Sequence, residues 1–114
     1  GVAISDSEIG IDIEKQRDKI GIIAHKFVDY EFDYLDKKST NNIRILTVIW
    51  CIKESLYKLF ATPGMLFREH FLVIPFMLED SETISWIDFE NKKHRFKGHF
   101  FEFEDFTCAY TIPA

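Results

Sequence analysis

The polar–apolar pattern changes period along the chain. Glu8-Ile9-Gly10-Ile11-Asp12-Ile13-Glu14 alternates with period two. This predicts a strand with Ile9, Ile11 and Ile13 on one face and Asp12 and Glu14 on the other. A short apolar run before it, Val2-Ala3-Ile4-Ser5, is a further strand candidate. Residues 18–38 read as broken helical pieces anchored by Phe27, Tyr30, Phe32 and Leu35. From about Ile43 to Phe60 the period lengthens, with Ile45, Ile49, Ile52, Leu56 and Leu59 forming one stripe of a long helix. Asn41 or Asn42 can cap its start, and Thr62-Pro63-Gly64 ends it. Beyond lie four β-rich runs, FLVIPFML, TISWIDF, RFKGHFFEF and FTCAYTI, separated by polar turns. Pro75 inside the first predicts an edge position or a bulge. The order predicts an α+β fold, an antiparallel sheet packed against one long helix plus short helices.

The helix stripe leaves a second face to be explained. Trp50, Glu54 and Lys58 are spaced i, i+4, i+8 and lie along one side. On the strand, Asp12 and Glu14 project from the same face, where two carboxylates raise one another's pKa unless a cation separates them. Oxygen ligands on a rigid strand suit Mg²⁺, and Mn²⁺ accepts the same set. Glu54 would add a third carboxylate from the helix, and Lys58 would neutralise a phosphate. Gly10 permits close approach of a backbone or a ligand. Each feature alone reads more readily as a solvated strand face or a surface helix pair; their combination leaves both readings open.

Composition narrows the classes. The chain has 114 residues, 46% of them hydrophobic, with twelve Phe, which suits one domain over residues 1–114 with a single core. The formal net charge is −5 and no basic stripe runs along the chain, so a nucleic-acid partner is not expected. No apolar run is long enough to span a bilayer, and the N-terminal residues do not read as a signal peptide, so no membrane partner is expected. Cys51 and Cys108 are far apart without a CxxC pattern, which predicts two buried reduced thiols and fits a cytoplasmic setting. His25, His70, His94 and His99 have no metal-ligand spacing, and His94 and His99 fall on opposite faces of one strand. Two other classes stay in view: a Mg²⁺-dependent phosphoryl enzyme of another kind, and a non-catalytic interaction domain.

Gly10-Ile11-Asp12-Ile13-Glu14, followed some forty residues later by Trp50-x-x-Lys53-Glu54-Ser55-x-x-Lys58, resembles the 4′-phosphopantetheinyl transferase superfamily. Spacing, helix and β-rich tail are similar to its larger, Sfp-like branch. The resemblance implies transfer of the phosphopantetheine arm of coenzyme A to a serine of an acyl or peptidyl carrier protein, with Mg²⁺, releasing adenosine 3′,5′-bisphosphate. It implies that Asp12, Glu14 and Glu54 bind the metal, and that Glu54 also deprotonates the serine. It further implies that Lys58 contacts coenzyme A phosphate, with Lys53 in the same coenzyme-binding motif. That branch is built of two similar halves, and the chain resembles the C-terminal half. The Ser-His-Ser segment and the basic residues for the nucleotide end, which belong upstream, are absent. A half-molecule is then expected to expose an apolar face for the missing half or for a second copy.

Overall fold

The computed structural model describes residues 9–60 and 62–114, so the candidate strand at residues 2–5 lies outside the described residues. Strand β1 spans Gly10–Lys15 and is followed by the short helix α1, Lys19–Ile23, and two 3₁₀ turns, Ala24–Lys26 and Tyr30–Asp33. The long helix α2 spans Asn42–Phe60 and the short helix α3 Phe67–His70. Strands β2 (Phe71–Val73), β3 (Glu82–Phe89), β4 (Lys92–Phe103) and β5 (Phe106–Pro113) complete one antiparallel sheet in the order β1-β5-β4-β3-β2. The fold is α+β, as the periodicity predicts. The run before Pro75 yields only three strand residues, and they form the sheet edge. Proline lacks the N–H a ladder needs, so pairing stops short of it.

Helix α2 crosses β1 and β5 and supplies the centre of the core, with Leu46, Val48, Ile49, Ile52 and Leu56 all 2% exposed or less. Facing them are Ala109, Phe100, Phe96, Ile87, Val73 and Phe71 from the sheet. Gly64, at φ +91°, makes the turn that follows α2 and that a side chain would resist. The β3–β4 hairpin turns through Glu90 and Asn91, both left-handed, as a tight right-twisted hairpin requires.

Strand β1 faces the less usual way. An alternating strand ordinarily buries its apolar face, yet Ile9, Ile11 and Ile13 are 46%, 55% and 59% exposed, while Asp12 is 5% exposed. The acidic side is the one turned to the helix. The seam there is made of small and polar groups: Gly10 and Asp12 on β1, Thr107, Ala109 and Thr111 on β5, and Cys51 and Ser55 on α2. A Cβ on Gly10 would overlap the Ser55 carbonyl oxygen, so the close approach that this glycine allows is of helix backbone to strand. Ser55 Oγ lies 3.1 Å from Thr111 Oγ1, and the Cys51 thiol donates to the Asp12 backbone carbonyl, so the hydroxyls and the thiol of the seam find partners within it.

The outer sheet face carries the isoleucines. Cross-strand rows align Ile11 with Tyr110 and His99, Ile13 with Cys108 and Phe101, and Lys15 with Phe106 and Phe103. Phe100 is buried under α2 whereas Phe101, Phe103 and Phe106 are exposed, the division expected of alternation. His94 packs at a tilt against Phe60 and His99 stacks on Tyr110, on opposite sides of the sheet. Both cysteines are free, but only Cys51 is fully buried; Cys108 is half-buried on this outer face.

Candidate functional site

Strand β1 and the second half of α2 meet where the alternation of one and the i, i+4 spacing of the other bring charged groups together. Lys58 Nζ donates to Asp12 Oδ1 at 2.7 Å and to the Ile11 carbonyl at 3.2 Å. The lysine is 52% exposed at its side chain and Asp12 only 5%. The other Asp12 oxygen, Oδ2, is buried and accepts no hydrogen bond from the described residues. A carboxylate oxygen without a partner in a dry seam is costly and calls for a cation.

Glu14, half-buried beside it, is pushed up to about 7. Burial is the main cause; the Asp12 carboxylate beside it adds to the rise, the Trp50 side chain offsets part, and Glu54 contributes further repulsion. Glu54 is also raised, by burial first and the Asp12 charge second, with Lys58 pulling it back. Lys58 is held further in its ammonium form, chiefly by its hydrogen bond to Asp12 and then by the surrounding carboxylates. Three acids therefore feel one another's charge across the strand–helix seam with a single lysine among them.

Among the described residues, no three His, Cys, Asp or Glu side chains are already gathered as a metal-binding group. The donor set nevertheless fits a hard divalent cation: all donors are carboxylate oxygens, one is buried without a partner, and their mutual repulsion is what a cation would relieve.

Sequence reasoning expects Lys53 near coenzyme A, and the structure corrects this. Lys53 is fully buried on the other side of α2, bonded to Glu31 at 3.0 Å, to the Phe27 carbonyl at 2.7 Å and to the Phe67 carbonyl at 3.1 Å. Burial pushes its ammonium down from the usual lysine range while Glu31 pulls it back. No donor of Lys53 is left to meet a ligand from solvent.

Glu31 is the residue that sequence reading missed. Its signal was indirect: position 53 falls between the buried positions 52 and 56, and a lysine there demands a carboxylate. Also unforeseen is a pocket of about 270 Å³ beside Glu14, walled by Trp50, Ile20 and Ile23 and rimmed by Lys15, Arg17 and Lys19. Arg68-Glu69-His70, by contrast, closes its own loop, with His70 Nδ1 accepting the Leu66 N–H at 2.8 Å.

No curated protein matches the chain significantly. A family model described as the 4′-phosphopantetheinyl transferase superfamily matches residues 8–111, which takes in β1, α2 and the sheet up to the end of β5. On that match, which spans nearly the whole chain and both segments of the acidic seam, the protein belongs to the 4′-phosphopantetheinyl transferase superfamily.

Proposed function

We propose that Asp12, Glu14, Glu54 and Lys58 form the transfer site for the phosphopantetheine arm of coenzyme A, delivered to a carrier-protein serine. The observation that carries this reading is the buried, unpartnered Asp12 Oδ2 set beside Glu14, an acid raised to about 7, within a chain of this family. Asp12, Glu14 and Glu54 would hold Mg²⁺ or Mn²⁺, which when bound withdraws charge from the pyrophosphate oxygens. Lys58 is long and half in water, with its ammonium resting on Asp12 and the Ile11 carbonyl of β1, so that ammonium can turn from Asp12 to a phosphate oxygen. Glu54, with its pKa raised, is suited to take the serine proton directly or through one water. The serine oxygen then bonds to the phosphorus next to the pantetheine, the bond from that phosphorus to the bridging oxygen breaks, and adenosine 3′,5′-bisphosphate leaves.

The basic rim of Lys15, Arg17 and Lys19 around apolar Ile20 and Ile23 supports an acidic carrier as partner. The exposed outer face of Ile11, Ile13, Phe101 and Phe103 supports cover by the other half of a two-half, Sfp-like enzyme or by a second copy. Ile13→Glu with Phe101→Arg would then keep the chain monomeric where the parent sequence associates, read by light scattering. No helix among the described residues is long and apolar enough to cross a membrane, and carrier modification fits the cytoplasm.

The test is transfer from coenzyme A to purified carrier protein with Mg²⁺, read by intact mass, for this chain, for Glu54→Gln and for a longer parent containing it. Transfer that Glu54→Gln abolishes supports the reading. No transfer to any of several carriers by either length of chain overturns it.

A further inference from the structure

We propose that the buried Lys53–Glu31 pair is a positioning device for the acidic site and acts through Trp50. This rests on the reading above, in which Asp12, Glu14 and Glu54 are the metal-holding acids.

The geometry is a short relay. Lys53 Nζ holds two backbone carbonyls, those of Phe27 and Phe67, from segments forty residues apart in the chain. The rings of the same two residues flank Trp50, with centroids 5.0 Å and 5.4 Å from the indole. Trp50 in turn walls the pocket that Glu14 lines. Neither Phe27 nor Phe67 belongs to the sheet, so no ladder hydrogen bond fixes their backbone. Glu31 completes the clamp: one oxygen accepts from Lys53 and more weakly from the Asp29 N–H, and the other accepts the Val73 N–H at 2.8 Å, which ties the assembly to β2.

Bulk stability does not explain such a pair. Well-packed apolar replacements for a buried ion pair are often neutral or stabilising, because desolvation consumes most of the attraction. Apolar side chains, however, cannot hold two carbonyls at a fixed point. What Lys53 adds is the location of the two rings, and through them the position of the indole that walls the pocket beside Glu14.

The test is a cycle combining Lys53→Met/Glu31→Leu with Trp50→Phe in the full chain, read by Mn²⁺ titration calorimetry and, where transfer is measurable, by kcat and KM for coenzyme A. We expect the paired replacement to keep its fold and to weaken Mn²⁺ binding about tenfold, the scale typical of groups that orient metal ligands. In the Trp50→Phe background the same replacement should change the affinity less than about twofold, because a pathway already cut cannot be cut again. Equal losses in both backgrounds, or none in either, overturn the proposal. If the paired replacement does not fold, Glu31→Gln, which keeps the shape, enters the same cycle under the same criteria. If the chain binds no Mn²⁺, the metal reading fails. Positioning is then read from Trp50 emission in a Trp86→Phe background, where an unchanged spectrum on replacing the pair overturns it.

Discussion

Helix α2 carries two lysine–carboxylate pairs five residues apart, and they could hardly differ more. Lys53–Glu31 and Lys58–Asp12 have similar separations, 3.0 and 2.7 Å. In the first, both side chains are fully buried, all three ammonium hydrogens have an acceptor and each carboxylate oxygen has a donor. In the second, the lysine is half in water, one aspartate oxygen has no partner, and two further acids crowd the same space. One pair is electrostatically complete and the other is not. Distance does not separate the two pairs; unfinished electrostatics does, and on the proposed reading the unmatched charge is what an outside cation or phosphate would meet.

The largest expected effect breaks the complete pair from one side. Lys53→Ala or Glu31→Ala leaves a buried charge alone and should cost about 3–5 kcal/mol in denaturant unfolding. A loss below about 1 kcal/mol would mean that the remaining charge finds water, and the contrast would fall. The matching change in the incomplete pair, Lys58→Ala, should cost less than about 1 kcal/mol of stability, since its ammonium is mostly hydrated. The same variant should lower the transfer rate by about a hundredfold or more, on the reading that it meets phosphate. Stability loss at one lysine and activity loss at the other is the sharpest form of the comparison.

A smaller effect tests the unmatched charge directly. Because Glu14 in the folded chain is raised to about 7, the native state keeps a proton that the unfolded chain releases near the ordinary carboxylate value. More protons bound to the native state means that stability falls as pH rises through this window and levels off above about 7. Thermal melts between pH 5 and 8 should show the decline, Glu14→Gln should remove it, and saturating Mg²⁺ should flatten it by favouring the ionised form. A decline that survives in Glu14→Gln would assign the repulsion to another acid.

Much of this was legible in the chain. The long helix, the tail strands and the edge position before Pro75 followed from period and from proline chemistry, because each is a local constraint. The residues of the acidic seam followed from two spacings read together. What the chain hid was long-range. The direction β1 faces depends on what α2 presents to it, and only the small residues Gly10, Cys51 and Ser55 hint that the helix packs on the acidic side. Alternation alone would bury three isoleucines. Lys53 was misassigned because it neighbours Glu54 in sequence, whereas on a helix consecutive residues point about 100° apart. Glu31, twenty-two residues away across a loop with no periodic signal, had nothing local to mark it.

A third ion pair on the same helix supplies the smallest effect and a control. Arg44, in the first turns of α2, makes two hydrogen bonds to Glu102 on β4, where Gln16 also donates. The pair is complete like Lys53–Glu31 but lies at the surface, with Arg44 43% exposed, so Arg44→Ala should cost less than about 1 kcal/mol. The arginine hydrogen bonds hold the Glu102 carboxyl below its usual range. That contribution is therefore present above the ordinary carboxylate pKa and is lost as pH falls through the lower folded value, so the variant's deficit should vanish in strong acid. Glu54 lies ten residues further along α2, roughly 15 Å at 1.5 Å per residue, and shares no partner with Arg44. Transfer by Arg44→Ala should then stay within about twofold of the parent, as expected for independent sites. A tenfold fall would mean that seating the whole helix, rather than the local balance of charge, sets the activity, and the difference between the two lysines would need another cause.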